Sequence, residues 1–295
     1  MRKFPLDLIL NTHTQKIIAI STRKPVTEKA MSTCKTMMKI VLKLISLFFI
    51  ALMAQSSIAQ EKQCAVVLMH GKWGTTQFIS FFGKKLDPVC DYKAIEMPWS
   101  KRRNYDEPYL TALAEIKAQV EKFRQQGYKR VVLAGHSFGA NAALAYMKTE
   151  GDVDGIISLA AGHTPSVMYQ RGIGKPAVDK ARELVSVGKG DESLSMDDFN
   201  QGKLQSIRMR ADVLLSYFDP QGLGNMVLTS AQFKKPVPVL WVVGTLDPLY
   251  PFGSSYGFDK TPHHEASKYL VVEADHANTP DVSVDQVKEW LKGLP

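Results

Sequence analysis

The sequence predicts an α/β fold: a mostly parallel, open sheet of about six strands with helices on both faces and a helical insertion. Three observations lead to this prediction. Short apolar, β-branched segments alternate with helical segments from Cys64 onward. The strand segments are almost continuously apolar, as expected when both faces of a sheet are covered. A polar stretch of about seventy residues then interrupts the alternation.

Strands and helices follow from the spacing of apolar residues. The segment 109–123, for example, has apolar residues every three to four positions with Glu and Lys between them, which is typical of an amphipathic helix. The predicted strands are Cys64–His70, Tyr92–Met97, Arg130–Gly135, Gly155–Leu159, Val237–Val243 and Lys268–Val272. The predicted helices are Thr76–Leu86, Pro108–Gln126, Ala140–Lys148, a short one at Pro262–Ser267, and Val282–Leu294.

The interrupting stretch covers about residues 163–233. It contains no clean strand pattern, and its composition is polar and helical. Because it lies between two strands of the predicted sheet, we interpret it as a helical lid over the face where such sheets bind ligands.

The most informative motif is Gly135-His136-Ser137-Phe138-Gly139, since it joins a predicted strand to a predicted helix. A serine on so sharp a turn takes strained backbone angles, and the flanking glycines allow strand and helix to approach closely. Its hydroxyl then projects above the sheet, beside a helix N-terminus that favours developing negative charge. Strand, G-x-S-x-G and helix together indicate a nucleophile elbow.

This arrangement closely resembles the α/β-hydrolase superfamily over nearly the whole chain after residue 59. The resemblance is specific at three places: the elbow, the early His70-Gly71 loop, and the late Asp247 and His276. It implies a covalent acyl-enzyme mechanism and the chain order Ser, Asp/Glu, His. It therefore implies that Ser137 is the nucleophile, His276 the general base and Asp247 the residue that orients the histidine.

His276 suits that role because it lies on the loop after the last predicted strand, where its ring can swing toward the serine. The other histidines are weaker candidates. His263 and His264 lie in a short polar stretch, and His163 opens the insertion. His136 is a neighbour of the serine and cannot fold back onto it.

Asp247 closes an apolar strand, which places its carboxylate where it can accept a hydrogen bond from the histidine ring. Asp275 is the alternative because it adjoins His276, but adjacent residues leaving a strand usually point apart. Asp219, in the insertion, is a third candidate.

The same resemblance implies that the loop His70–Gly74 supplies one donor of the oxyanion hole and that the residue after the serine supplies the other. The donors would be the backbone N–H groups of Lys72 (or Trp73) and of Phe138. Because they act through the backbone, we do not expect the Lys72 side chain to matter. The sequence predicts no cofactor and no metal, since it has no Cys/His cluster and no phosphate-binding glycine loop.

A weaker indication of a binding site is the cationic run Lys101-Arg102-Arg103, which lies on the loop that follows the carboxyl end of the second predicted strand. It could hold a carboxylate or phosphate of a substrate, or it could be a solvated loop.

The first 59 residues do not resemble a core. Residues 38–59 have the basic start, short apolar run and small-residue end of a secretory signal peptide, with cleavage expected after Ala59. The apolar run is too short to span a bilayer, so we expect no stable membrane span after cleavage. Residues 1–37 are interpreted as an N-terminal extension, either a misassigned start or an extended basic region.

Charge and cysteine usage agree with export. The net charge is +8, but residues 1–59 contain nine basic and two acidic residues, which leaves about +1 for residues 60–295 and argues against nucleic-acid binding. Cys64 and Cys90 remain after cleavage, and each begins a predicted strand. We predict a disulfide between them, with two unpaired thiols as the alternative.

The sequence therefore predicts a periplasmic or secreted serine hydrolase that cleaves an ester or related acyl bond of a small molecule. Two alternatives stay open: a catalytically silent ligand-binding protein with this fold, and an acyltransferase that uses the same triad. The sequence indicates no oligomeric state.

Overall fold

The computed structural model of the protein describes residues 64–295, together with residues 37–39, 41 and 43. Apart from those five residues, the predicted N-terminal extension and signal peptide lie outside the described residues. Within the described part of the chain, no helix is both long and apolar enough to cross a membrane.

The core of the fold is a six-stranded sheet in which every pair of neighbours is parallel. The four inner strands are buried along almost their whole length, which explains why their sequences are continuously apolar. The strands are β1 (Cys64–Met69), β2 (Asp91–Ile95), β3 (Arg130–His136), β4 (Gly155–Leu159), β7 (Val239–Gly244) and β8 (Lys268–Val272), in the order β2-β1-β3-β4-β7-β8.

Helices cover both faces of this sheet. Along β1, Ala65 and Val67 pack into one apolar cluster with α2 (Tyr109–Gln125) and α3 (Phe138–Thr149). Val66 and Leu68 pack into the other cluster, with α1 (Thr76–Leu86) and α9 (Val284–Lys292). This alternation follows from the two-residue period of a strand. The predicted fold class is confirmed.

The stretch 163–233 differs from the expectation that it has no strand. It contains helices and also a two-stranded antiparallel sheet, formed by β5 (Ser193–Asn200) and β6 (Lys203–Arg210). Gln201 and Gly202 join the strands, both with positive φ (47° and 79°), as a two-residue hairpin loop requires. The helices of this stretch are α4 (Pro165–Gln170), α5 (Lys175–Ser186), α6 (Ala211–Phe218) and α7 (Met226–Ser230).

The helix predicted at Pro262–Ser267 is wrong. These residues form a loop, in which the Ser267 N–H donates to the His264 carbonyl and the Ala266 N–H donates to the His264 ring. Three short 3-10 turns precede it: Tyr250–Phe252, Ser254–Tyr256 and Phe258–Lys260. The last predicted helix, Val282–Leu294, corresponds to α9, and a separate short helix, α8 (Thr279–Val282), precedes it.

The predicted disulfide is present. Cys64 and Cys90 are bonded, with their Cα atoms 4.7 Å apart. Cys64 begins β1 and Cys90 immediately precedes β2, and the register pairs the next two residues, Ala65 and Asp91. The disulfide therefore joins these two strands at their amino ends, and the elbow lies at the carboxyl ends of the sheet.

Candidate active site

Ser137 lies on the turn between β3 and α3, with φ 55° and ψ −116°. Steric contacts require glycine at both flanking positions. A β-carbon on Gly135 would lie 2.0 Å from the carbonyl carbon of Gly139, and one on Gly139 would lie 2.3 Å from the carbonyl oxygen of Met69. No side chain fits at either position, so the motif keeps the helix against the strands and fixes the strained serine.

The backbone around the serine is held from two sides. The Ser137 N–H donates to the Leu159 carbonyl over 3.0 Å, and the Ser137 carbonyl accepts from the Gly162 N–H over 3.1 Å. Ser137 is also the residue that precedes the first turn of α3, where the partial positive charge of a helix N-terminus is greatest. An anion that forms at the hydroxyl oxygen would be stabilised there.

The loop after β1 is held by the buried side chain of His70. The Met97 N–H donates to its Nε2 over 3.0 Å, so the ring carries its proton on Nδ1, which donates to the Gly71 carbonyl over 2.8 Å. Burial lowers the pKa of His70, which keeps this neutral form. The Gly74 N–H also donates to the Gly71 carbonyl, over 3.0 Å. These bonds fix the peptide plane that carries the Lys72 N–H.

The two loop amides considered from the sequence differ in this structure. The Trp73 N–H donates to the Trp99 carbonyl over 2.8 Å. Within residues 64–295, the Lys72 N–H and the Phe138 N–H have no hydrogen-bond acceptor. Lys72 and Phe138 are therefore the amides that are free to bind a developing negative charge.

The Lys72 side chain departs from the expectation that it would not matter. It is buried, and its ammonium lies 2.6 Å from a carboxylate oxygen of Asp198 on β5. Sequence reasoning missed this pair because the two residues are 126 positions apart.

His276 and Asp247 contact each other directly. The His276 ring lies on the loop after β8, and its Nδ1 is 2.6 Å from Oδ2 of Asp247. Asp247 lies just after β7, is 3% exposed, and its other oxygen accepts from the Leu249 N–H over 2.7 Å. A proton on Nδ1 leaves Nε2 of His276 free to accept one.

The competing residues have other partners. The Asp275 carboxylate accepts hydrogen bonds from the backbone and side chain of Asn278, and these bonds, the backbone one foremost, lower its pKa. Asp219 pairs with Arg182 at 3.0 Å. His163 is buried, and its Nε2 contacts the Tyr217 carbonyl at 2.8 Å.

His136 supports His276 from inside the elbow. Its Nε2 donates to the His276 carbonyl over 2.9 Å, and the two rings lie 5.0 Å apart. Burial, and then the nearby charge of His276, lower the pKa of His136 to about 4, so the ring is neutral near neutral pH. The motif's second residue thus fixes the loop that carries the histidine.

Ser137 and His276 converge on one point. A β-carbon placed on Gly162 would lie 2.7 Å from the Ser137 hydroxyl oxygen and 3.4 Å from Cε1 of His276. Both residues line a cavity of about 330 Å³, with Asp247 and several apolar side chains, among them Ala161, Met168, Phe199, Pro248 and Leu249. The described contacts include no hydrogen bond between the serine hydroxyl and His276; such bonds often tighten only when substrate binds.

Two of the three cationic residues in the run after β2 lie beside acidic side chains. Arg103 forms ion pairs with Glu115 and Asp106, and the hydrogen bond with Glu115 raises its pKa further. The Arg102 guanidinium lies 3.7 Å from Glu96 and is largely exposed. Within the part of the chain that the structure describes, no cluster of three or more His, Cys, Asp or Glu side chains is arranged to hold a metal ion.

A family model described as the alpha/beta hydrolase family matches residues 66–287. The chain belongs to the alpha/beta hydrolase family. The match covers five strands of the sheet in full, β1 from Val66 onward, the elbow and the Asp247–His276 pair. None of the curated proteins matches the chain.

Solved structures of esterases and lipases share the fold of this hydrolase at low sequence identity. A monoacylglycerol lipase from Paleococcus ferrophilus is 20% identical, with a TM-score of 0.55 over 78% of this chain and 95% of its own. A thermostable carboxyl esterase from Bacillus coagulans is 13% identical, with a TM-score of 0.57 over 80% of this chain and 91% of its own. Est1E from Butyrivibrio proteoclasticus, with ferulic acid bound, is 16% identical, with a TM-score of 0.55 over 81% and 92%.

Proposed function

We propose that this protein is an exported serine hydrolase that cleaves an ester or related acyl bond of a small molecule. Ser137 attacks the acyl carbon, and His276 takes the hydroxyl proton and gives it to the leaving group as the acyl-enzyme forms. Water then attacks the acyl-enzyme, His276 takes its proton and returns it to the Ser137 oxygen as the acid leaves, and Asp247 orients His276 throughout. The amides of Lys72 and Phe138 stabilise the oxyanion. The observation that carries the proposal is the partly buried Asp247–His276 hydrogen bond beside a strained elbow serine.

The cavity limits the substrate. A volume of about 330 Å³ is at the small end for ligand pockets, and much of its lining is apolar. We therefore expect a short acyl chain to be preferred. The intact arrangement of serine, histidine and aspartate favours an enzyme over a silent binding protein.

A fluorophosphonate reacts only with an activated serine, so it tests the proposal directly. We expect labelling of the wild-type protein at Ser137, located by peptide mass spectrometry, and hydrolysis of p-nitrophenyl esters that declines as the acyl chain lengthens. Absence of labelling would support the binding-protein alternative. Formation of a new ester in the presence of an added alcohol would instead support acyl transfer.

Export has a separate test. The disulfide suits an oxidising compartment, and the apolar segment ends in small residues before Gln60. Expression of the full chain in a Gram-negative host should yield a periplasmic protein whose N-terminal residue is Gln60. An uncleaved chain in the cytoplasm would contradict export.

A further inference from the structure

The β5–β6 hairpin contains a carboxylate that is completely buried. Asp198 is 0% exposed. It accepts three hydrogen bonds: from the Lys72 ammonium over 2.6 Å, from the Trp73 indole over 3.1 Å and from the Tyr105 hydroxyl over 3.0 Å. Its neighbours on the strand show that this burial is specific. Met196 also faces inward, whereas Asp197 is exposed on the other face, as the two-residue period of a strand requires.

The three donors come from loops at the carboxyl ends of β1 and β2. Lys72 and Trp73 belong to the loop with the free amide, and Tyr105 belongs to the loop after β2. Trp73 and Tyr105 have φ values of 56° and 58°. Residues other than glycine adopt this conformation only when their surroundings hold them there. Asp198 thus contacts two strained segments at once.

A second contact from the hairpin reaches the backbone. The Asn200 side chain donates to the Lys72 carbonyl over 3.2 Å. The Lys72 carbonyl and the Lys72 N–H belong to adjacent peptide planes, and the Lys72 N–H is the proposed oxyanion donor. The Lys72 ammonium also lies 5.9 Å from the centre of the ring of Phe138, the residue that carries the other donor.

Stability alone does not explain a carboxylate at this position. Burial of two opposite charges costs about as much as their attraction returns, and an apolar pair often stabilises a protein equally well. The position of the amide is more demanding, because a displacement of about 1 Å in a catalytic geometry can lower the rate about 100-fold.

We propose that Asp198 is a positioning residue that holds the Lys72 amide in the oxyanion hole. This inference rests on the proposed function. Asp198 thus anchors the loop after β1 through its hydrogen bonds with Lys72 and Trp73.

The test compares Asp198→Asn with two matched variants. Asp198→Asn keeps the shape but removes the charge and turns an N–H group toward one of the three donors. Asp197→Asn makes the same change on the exposed face. Met196→Ala weakens the packing of the same strand and removes none of the groups that hydrogen-bond Asp198, so it measures the effect of hairpin instability.

Steady-state kinetics on a p-nitrophenyl ester are measured well below each melting temperature. We expect Asp198→Asn to lower kcat at least 10-fold with KM within about 3-fold, because loss of an oxyanion donor costs 100- to 1000-fold in kcat. Asp198→Glu should recover part of kcat, while Asp197→Asn and Met196→Ala should stay within about 2-fold of wild type. A fall in kcat for Met196→Ala equal to that for Asp198→Asn would overturn the inference, as would an unchanged kcat in Asp198→Asn.

A second measurement does not depend on catalysis. The Lys72 amide resonance in a ¹H–¹⁵N spectrum should move in Asp198→Asn and stay in place in Asp197→Asn. If wild-type Ser137 is not labelled by fluorophosphonate, the proposed function fails while this spectrum still tests the anchor. If Ser137 is labelled but the Lys72 resonance is unchanged in Asp198→Asn, the positioning role alone is wrong.

Discussion

Asp247 and His276, 29 positions apart in the chain, are joined by a hydrogen bond of 2.6 Å between a carboxylate oxygen and Nδ1 of the ring. The partner atoms determine the tautomer, because a carboxylate oxygen accepts and Nδ1 must therefore carry the proton. Nε2 is then left without a proton and can accept one.

This relationship predicts that Asp247→Asn is far more damaging than Asp275→Asn. An asparagine at position 247 can stabilise the wrong tautomer of His276, which lowers kcat by roughly 10⁴ in a comparable enzyme. An asparagine at position 275 keeps an acceptor for the Asn278 N–H, so we expect kcat within a few-fold of wild type. The measurement is kcat for both variants on one p-nitrophenyl ester. Greater damage from Asp275→Asn would transfer the orienting role to that residue.

Ser137→Ala should abolish activity and keep the fold. The hydroxyl makes no hydrogen bond within the described residues, whereas removal of a triad nucleophile costs about 10⁶ in kcat. Purified Ser137→Ala should melt close to the wild-type temperature and show no burst or steady-state hydrolysis. Retention of more than about a tenth of wild-type activity would contradict the assignment.

Gly162→Ala should impair catalysis although residue 162 has no catalytic group. Its β-carbon would lie 2.7 Å from the Ser137 hydroxyl oxygen, closer than carbon and oxygen can approach, so the serine or its loop must move. We expect a loss of kcat of about 100-fold. Gly293→Ala is the matched control, because its β-carbon would meet nothing closer than 3.6 Å. Equal kcat for the two variants would place the hydroxyl elsewhere.

Loss of the disulfide should lower stability and leave the chemistry intact. The sequence separation of 26 corresponds to about 3–4 kcal/mol on the loop-entropy model. The double variant Cys64→Ser/Cys90→Ser should unfold at lower denaturant concentration, with kcat unchanged because the bond lies at the amino ends of β1 and β2. Equal denaturation midpoints for oxidised and reduced wild-type protein would show that the bond contributes nothing.

His136 should make stability depend on pH. Its folded pKa of about 4 is below the ordinary value of 6.5, so the unfolded chain binds a proton more readily. The stability is therefore complete above pH 6.5 and is lost as the pH falls toward 4, by about 3 kcal/mol in total. His136→Gln can still donate to the His276 carbonyl but cannot titrate, so its free energy of unfolding should fall less over this range. Parallel pH profiles for the two proteins would contradict this account.

Much of the architecture could be predicted from the sequence because the buried strands have an unambiguous pattern. The observed bounds of Gly155–Leu159 and Lys268–Val272 equal the predicted ones. The elbow was equally clear, since Gly135 and Gly139 are fixed by steric contacts between neighbouring elements.

The hairpin was missed for a physical reason. Its inward face carries Met196 and Ile207 but also the charged Asp198, which breaks the apolar alternation that indicates a strand. Only the Gln201-Gly202 loop gave a local turn signal. The contacts of Lys72 depend on tertiary structure, and no local pattern reports them.

The disulfide has a consequence for the edge of the sheet. Among the described residues, β2 is the outermost strand of the sheet and pairs with β1. A strand at the edge of a sheet can pair with a strand of another molecule. The covalent bond beside the first residue of β2 ties this strand to its own chain. In a molecule that folds with reduced cysteines, no covalent bond ties β2 to β1, so β2 is more accessible for pairing with a strand of another molecule. We therefore expect the oxidised protein to aggregate less than the reduced protein while it folds.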